Sequence, residues 1–186
     1  MARLPYIRSE DIPVAYSDIA AREINIFRLA ANNLEAARAL RLLGHYIRHD
    51  SILDHRLREM AVVQVGYLSG CAYEFYHHVK IGFQFGLSDA DVQAIIAETE
   101  GNPSALNETE KAVLRMARQM TAQISVDTQT FNCVAAALSS AALIDLGLTI
   151  SHYNGVVRFL SCFEVDLEPG YEELVSKYPL PARRLQ

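Results

Sequence analysis

Apolar residues recur every three or four positions along almost the whole chain, which is the spacing of one face of an α-helix. Between residues 17 and 49 the pattern is clear apart from a break near Asn32 and Asn33. No pair of segments alternates apolar and polar residues around a hairpin-type turn, which is the pattern of paired β-strands. The sequence therefore predicts an all-α fold.

Short polar residues mark where several of these helices begin, because their side chains accept hydrogen bonds from the first backbone N–H groups. Glycines mark two of the ends, where the chain must leave the helical conformation. These signals predict helices over about 54–68 and 71–85, one opened by Ser88, one over about 107–123, one capped by Asp127, and a long one from Ser139 or Ser140 to about Cys162.

The two ends of the chain lack this periodicity. Residues 1–16 contain Pro5 and Pro13 and are predicted to form an irregular arm. Residues from about 165 to 186 contain Pro169-Gly170, Pro179 and Pro181, which predict an extended tail on the surface or on a neighbouring subunit. No internal repeat or linker divides residues 1–186, so we expect a single domain.

Charge and composition narrow the class of protein. The 186 residues include 17 basic and 22 acidic side chains, a formal net charge of −5, and 51% are apolar. This balance is typical of a globular protein and argues against nucleic acid or an anionic membrane as the main partner. The most apolar stretch, residues 131–150, is interrupted by Asp145 and several other polar residues, which favours a buried helix or a subunit interface over a membrane span.

Three widely spaced cysteines, Cys71, Cys133 and Cys162, fit neither a disulfide framework nor a zinc motif. Four of the first eleven residues are charged (Arg3, Arg8, Glu10 and Asp11), so no signal-peptide core is expected there. Both observations favour a reducing compartment and predict a cytoplasmic location.

The densest group of reactive side chains lies between Gly70 and His78. At about 100° per residue, Cys71, Glu74 and His78 share one helix face, whereas His77 points away. A thiol, a carboxylate and an imidazole on one stripe suit proton transfer or thiolate chemistry. The alternative is that the thiol is an ordinary buried residue and the grouping a coincidence. No second ligand pair accompanies Glu74 and His78, so we expect neither a metal nor a cofactor.

Glu59 stands at the entrance of an apolar run, residues 60–65, that is predicted to be buried. A buried carboxylate requires a partner, because an unpaired charge in the core is costly. One interpretation is a structural ion pair with Arg56 or Arg58. The other is that Glu59 faces the Cys71 stripe and completes a pocket with Cys71, Glu74 and His78.

Residues Leu53 to Ile95 resemble the carboxymuconolactone decarboxylase family, which includes the AhpD-type alkylhydroperoxidases. The resemblance is carried by Leu-Asp-x-Arg-Leu-Arg-Glu at 53–59, Gly-Cys-x-Tyr-Glu-x-x-x-His at 70–78 and Gly-Leu-Ser-Asp at 86–89. The segment 152–160 is similar to the last core helix of many members. The resemblance implies an AhpD-like orthogonal helical bundle and a homo-oligomer (dimer, trimer or hexamer) with a pocket beside the Cys/His helix.

The chain departs from the peroxidase pattern at one important position. AhpD-type peroxidases carry Cys-x-x-Cys, a histidine four residues later and a glutamate twelve residues before the first cysteine. Cys71, His78 and Glu59 occupy three of these positions, but Glu74 replaces the second cysteine. Lactone decarboxylases of the family instead carry Glu-x-x-x-His, which Glu74 and His78 match.

Two enzymatic hypotheses follow, both with Glu59, Cys71, Glu74 and His78 as the candidate catalytic residues. The first is an acid/base lyase in which Glu74 and His78 transfer a proton on a small carboxylated lactone or oxo acid. The second is an AhpD-like thiol peroxidase, with peroxiredoxin-type activity, that uses Cys71. A family member without catalysis is the third alternative.

Several other residues are left with open roles. Arg58 or Arg158 is a candidate for binding a substrate carboxylate, although a structural ion pair is the simpler interpretation for each. His152 lies in an otherwise apolar helix, where a hydrogen-bonded core histidine is favoured over a pocket residue.

Overall fold

The computed structural model describes residues 1–181, and within that range the chain is helical without any β-strand. The all-α prediction is confirmed. The α-helices of the described range are α1 (Ser17–Ala20), α2 (Asn25–Ala30), α3 (Leu34–His45), α4 (His55–Leu68), α5 (Ala72–Gln84), α6 (Asp89–Thr99), α7 (Glu108–Gln123), α8 (Thr128–Ala137), α9 (Ser140–Phe163) and α10 (Glu172–Lys177).

The predicted caps are the ones that the helices use. The side chain of Asp54 accepts from the backbone N–H of Leu57 at the start of α4. Ser88 and Asn107 each form a reciprocal capping box with the acidic residue three positions later, at the starts of α6 and α7. Asp127 and Ser139 accept from the backbone N–H groups of Thr130 and Ala142 at the starts of α8 and α9. Each cap satisfies backbone donors that the first turn leaves without an intrahelical acceptor.

Helix α4 lies at the centre of the bundle and packs against α5, α6, α7 and α9. Every residue from Arg58 to Tyr67 is buried, because apolar neighbours surround the helix on several sides. The polar residues on this helix therefore face other parts of the protein rather than solvent. This placement brings the charged residues of α4 to the candidate site.

Gly66 permits the close approach of α4 and α5. A Cβ atom at this position would lie 2.8 Å from the backbone nitrogen of Phe75 and 2.9 Å from its Cα. Because backbone atoms of a packed helix cannot move aside cheaply, we expect Gly66→Ala to lower the free energy of unfolding by about 1–3 kcal/mol. Urea denaturation measures this change.

The matched control for that measurement is Gly147→Ala, also inside a helix, where a Cβ would meet nothing within 4 Å. It should be neutral or slightly stabilising, since alanine favours helix more than glycine does. Equal effects of the two substitutions would contradict the close-packing argument.

The structure corrects two expectations about the chain ends and the N-terminal helices. The tail contains α10 and is not extended over Glu172–Lys177, where two glutamates in the first turn favour the helix start. The last five positions of the predicted tail, 182–186, lie outside the described residues. The segment 17–49 is interrupted at 21–24 as well as near the predicted break at Asn32–Asn33.

Residues 1–16 contain only two short 3-10 turns, Ser9–Asp11 and Val14–Tyr16, within irregular chain. In residues 1–181, no helix is both long and apolar enough to cross a membrane.

Candidate functional site

The turn between α4 and α5 brings Glu59 and His78 together from two helices. Gly70 adopts a positive φ of 61°, which reverses the chain and lays α5 against α4. Across this contact the Oε2 atom of Glu59 lies 2.7 Å from Nδ1 of His78. A carboxylate on Nδ1 fixes the orientation of the ring and leaves Nε2 to face away from Glu59.

Arg58 holds the other oxygen of Glu59. Its Nε donates to Glu59 Oε1 at 2.8 Å, and its Nη1 donates to the backbone carbonyl of Arg48 at 3.1 Å. Arg58 and Glu59 are 1% and 0% exposed, so this is a fully buried ion pair. Arg56 pairs instead with Asp91 and Glu110. Glu59 therefore forms the predicted ion pair with Arg58 and also contacts His78 of α5. It does not complete a pocket with Cys71, which lines a different cavity.

Glu74 lies on the opposite side of the His78 ring, one helical turn earlier. Its Oε1 is 3.0 Å from His78 Nε2, but the contact lacks hydrogen-bond geometry, and this buried oxygen accepts no hydrogen bond. Glu74 and His78 are 3% and 5% exposed, and both line a small cavity of about 70 Å³. The chain of contacts from Arg58 through Glu59 and His78 to Glu74 therefore ends at a cavity.

The carboxylates favour the positively charged form of His78. Burial by itself lowers the pKa of His78, but Glu59 and Glu74 outweigh this effect and raise the pKa to about 9. Burial likewise works to raise the pKa of Glu59, yet the adjoining His78 and Arg58 hold that pKa below its usual range. At neutral pH the geometry therefore favours an imidazolium between two acidic side chains.

This arrangement predicts how stability changes with pH. Because the pKa of His78 rises from 6.5 to about 9 on folding, its contribution is fully present below about pH 6.5. It is lost as the pH rises through about 9. We expect the free energy of unfolding to fall over this window by about 3 kcal/mol at most. Urea denaturation from pH 6 to 10 tests this, and His78→Gln should flatten the profile. An unchanged profile in that variant would contradict the assignment.

His77 also lines the cavity, which corrects the prediction that it points away. Its Nε2 lies 2.6 Å from Glu168 Oε2, its Nδ1 lies 3.1 Å from the hydroxyl of Tyr171, and Tyr73 stacks on the ring. Glu168 comes from the C-terminal segment, and its pKa is about 2 because His77 and the backbone N–H of Asn25 outweigh the effect of burial. The segment thus attaches to α5 beside the site.

Cys71 does not join Glu74 and His78 at this cavity. It is the N-cap of α5 and has an extended backbone, with φ −87° and ψ 96°, so the helical spacing used for the prediction does not apply to it. Its buried side chain lines a separate cavity of about 210 Å³ beside Ser161 and Val165. Cys133 and Cys162 are exposed thiols on other helices.

Neither arginine that the sequence offered for binding a substrate carboxylate lines the cavity. Arg58 is buried against Glu59, and Arg158 is exposed and donates to its own helix at Asn154. The arginine that lines the cavity is Arg48, which sequence reasoning missed. It lies on a π-helical turn, Tyr46–Asp50, that follows α3. Such turns give no clear sequence signal.

His152 lies on α9 and is half-buried at the rim of the cavity rather than inside the core. Burial lowers its pKa, so the geometry favours the neutral ring beside the charged His78. Within residues 1–181, no three His, Cys, Asp or Glu side chains are grouped in a way that would hold a metal ion.

The segment that carries the site is similar to a known protein family. The model of the carboxymuconolactone decarboxylase family matches residues 35–119, which span α3 to most of α7. Residues 35–119 are therefore similar in sequence to this family. They include Glu59, Cys71, Glu74 and His78, so the resemblance stated from the sequence is confirmed. No match was found among curated proteins.

Several solved structures share the fold. The debrominase Bmp8, in complex with 2,3,4-tribromopyrrole, matches with a TM-score of 0.79 and 16% identity over 95% of this chain and 99% of that chain. An AhpD-core, peroxidase-related protein from Ralstonia eutropha JMP134 matches with a TM-score of 0.78 and 15% identity over 91% and 94%. These identities establish an AhpD-like fold and do not establish a shared reaction.

Proposed function

We propose that the protein is an acid/base lyase of the carboxymuconolactone decarboxylase type that acts on a small carboxylated lactone or oxo acid. The observation that carries this proposal is the chain of buried contacts from Glu59 through His78 to Glu74, which ends at a cavity. Side chains that exchange a proton in a water-poor cavity are what decarboxylation followed by protonation at carbon needs.

In the proposed reaction the carbon–carbon bond to the substrate carboxylate breaks and carbon dioxide leaves. The bonding electron pair remains on the substrate as an enolate, which the charged His78 stabilises. The proton on His78 Nε2 passes through the Glu74 carboxylate to the carbon, and solvent then returns one proton to His78. The sequence balances without an oxidant, a reductant or a cofactor.

Glu59 has a different role from the other two in this proposal. It does not line the cavity, and its oxygens contact His78 and Arg58. We therefore assign it as a positioning residue that fixes the His78 ring and favours its charged form. Substitution of Glu59 is therefore expected to change the pH dependence of turnover as well as its rate.

The position of Cys71 supports this proposal over peroxide reduction. Cys71 lines a different cavity from His78, and its extended N-cap backbone takes it out of the helical stripe that carries Glu74 and His78. His78 is therefore badly placed to activate the thiol. The peroxidase alternative would require Cys71 to be oxidised to a sulfenic acid and then resolved by Cys133, Cys162, a second subunit or a small thiol.

Two assays on the wild-type protein test the choice. We expect carbon dioxide release from at least one member of a panel of carboxylated lactones and oxo acids, with no catalytic loss of hydrogen peroxide. Mass measurement after mild peroxide treatment should find no turnover-linked oxidation at Cys71. Catalytic peroxide loss without any carbon dioxide release would contradict the lyase proposal and favour the peroxidase.

A homo-oligomer stays a prediction, as does the alternative of a member without catalysis. The alternative without catalysis would gain support if neither activity were found and the pocket were closed by Phe75, Tyr76 or Phe83. Phe75 and Tyr76 are buried on the other face of α5, Phe83 is exposed, and none of the three lines the Glu74–His78 cavity. Light scattering on the purified protein tests the oligomer.

A further inference from the structure

A larger apolar chamber adjoins the small cavity. The chamber has a volume of about 480 Å³ and is lined mainly by apolar side chains of α2, α3 and α9, including Leu29, Phe159 and Phe163. It shares Leu40, His152 and Val156 with the cavity that holds Glu74 and His78. The two spaces therefore adjoin across these three side chains, and we refer to them together as the trough between α3 and α9.

One face of α3 runs along the whole trough. Ala36 and Leu40 line the chamber, and Leu40, Gly44 and Arg48 line the small cavity. Ala36, Leu40 and Gly44 are spaced by four residues and so lie along one side of α3, and Arg48 follows on the π-helical turn. The trough is consequently apolar at the Ala36 end, and at its other end Arg48 lines the cavity that also holds Glu74 and His78.

Arg48 is available to bind an anion. Among the described residues no carboxylate lies within the 4.0 Å ion-pair limit of Arg48 or of the neighbouring Arg22, whereas Arg41 pairs with Asp18. Burial lowers the pKa of Arg22, and the charges of Arg48 and Arg41 lower it further. Arg48 therefore lines the cavity as a cation that forms no ion pair within the described residues.

The position of Arg48 is held by the same residue that holds Glu59. Arg58 Nη1 donates to the Arg48 carbonyl at 3.1 Å, while Arg58 Nε donates to Glu59. The side chain of Arg48 makes one weak bond, from Nε to the carbonyl of Gly44 at 3.3 Å. The backbone of the arginine is therefore fixed and its guanidinium is left able to reorient toward a ligand.

The volumes limit where a substrate can lie. A cavity of about 70 Å³ corresponds to roughly two water molecules, which is too small for a lactone or a longer oxo acid. The adjoining chamber of about 480 Å³ is within the usual range for small-molecule sites. Most of the substrate must then occupy the chamber while its reacting end reaches Glu74 and His78.

We propose that the site takes an amphipathic carboxylate, with its carboxylate bound by Arg48 and its apolar body in the chamber beyond Gly44 and His152. This inference rests on the proposed function, because it places the ligand beside Glu74 and His78, but its test measures binding rather than turnover. Arg48 is the residue that selects the anionic head group, and Gly44 sets the width of the passage.

Three probes separate the two features. Octanoate carries both a carboxylate and an apolar body, acetate carries the charge alone, and 1-octanol carries the apolar body alone. Isothermal titration calorimetry should give octanoate at least tenfold tighter binding than either of the others. Arg48→Gln should weaken octanoate binding by about ten- to a hundredfold, as expected for losing a charge-assisted hydrogen bond. Arg48→Lys should retain part of the affinity, because it keeps the charge but loses the planar fork.

Arg158→Gln is the matched control, because Arg158 is exposed and bonds only within its own helix at Asn154. It should leave octanoate binding unchanged. Octanoate affinity that is equal in wild type and Arg48→Gln would overturn the inference, as would equal affinity for octanoate and 1-octanol.

Gly44→Leu tests the passage independently of charge. A Cβ at Gly44 would lie 3.9 Å from His152 Nε2, which is ordinary contact, so the fold tolerates a first carbon while a leucine fills the opening. We expect at least a tenfold loss for octanoate and little change for acetate. Unchanged octanoate binding in Gly44→Leu would contradict the claim that the ligand extends past Gly44 from one space into the other.

Binding and chemistry can fail separately in these experiments. Octanoate binding that depends on Arg48, in a protein that releases no carbon dioxide, would support this inference and contradict the lyase proposal. Carbon dioxide release by a protein whose octanoate binding does not depend on Arg48 would support the lyase proposal and contradict this inference.

Discussion

Glu74→Gln is expected to lower kcat for carbon dioxide release by about 10²- to 10⁴-fold, the usual contribution of a positioned acid or base. The amide has nearly the same shape as the carboxyl group and retains an oxygen near His78 Nε2. It cannot carry a proton to the substrate. The loss should therefore appear mainly in kcat, with a small change in KM, when initial rates are measured over a range of substrate concentration.

The control for this substitution is Glu173→Gln, which changes the same functional groups on the exposed helix α10. It should leave kcat unchanged. Glu74→Gln should also keep the wild-type thermal unfolding midpoint within a few degrees, because Glu74 Oε1 accepts no hydrogen bond that the amide would lose. A Glu74→Gln enzyme with wild-type kcat would remove Glu74 from the proposed chemistry.

Arg58→Leu is expected to lower the free energy of unfolding by about 3–5 kcal/mol, the cost of breaking a buried ion pair from one side. The substitution deprives Glu59 of its guanidinium partner and the Arg48 carbonyl of its donor. Arg58 and Glu59 are 1% and 0% exposed, so water cannot replace the lost partner. Urea denaturation measures the change. The site should lose activity as well, because Arg58 holds both Glu59 and the backbone of Arg48.

A second variant separates charge from packing in that experiment. The double variant Arg58→Leu with Glu59→Leu removes both buried charges and should recover part of the lost stability. It should remain inactive, since His78 then has no carboxylate on Nδ1. Arg158→Leu on the surface should stay within about 0.5 kcal/mol of wild type. A loss below about 1 kcal/mol for Arg58→Leu would contradict the structural role.

The helices and their starts were predictable because their signals are local. A cap such as Asp54 or Ser88 acts on backbone groups within three residues, so the sequence alone indicates the boundary. The pairing of Glu74 with His78 was predictable for the same reason, since they are one turn apart. The placement of Glu59 at the site was predicted from two observations together, the cost of an unpaired buried charge and the family pattern.

The rest of the site depends on contacts between distant parts of the chain. Glu168 meets His77 across 91 positions, and no local feature of the tail indicates this partner. Arg48 reaches the cavity from a π-helical turn, where the ordinary helical spacing does not hold. Cys71 leaves the predicted stripe because an N-cap has a non-helical backbone, so a helical projection misplaces it.

These placements explain why the replacement of the second family cysteine by Glu74 matters. The position that lines the cavity beside His78 carries a carboxyl group, while Cys71 lies at the start of α5 and lines a different cavity. The Glu74 carboxyl group therefore occupies the place where a peroxidase of the AhpD type has its second cysteine.

The most direct test compares the rates of carbon dioxide release by wild type, His78→Gln and Cys71→Ser on one carboxylated substrate. We predict that His78→Gln loses at least about a hundredfold in kcat. Cys71→Ser should stay within about twofold of wild type, because the thiol lies outside the cavity that holds Glu74 and His78. Loss of turnover in Cys71→Ser, with turnover retained in His78→Gln, would contradict the acid/base account.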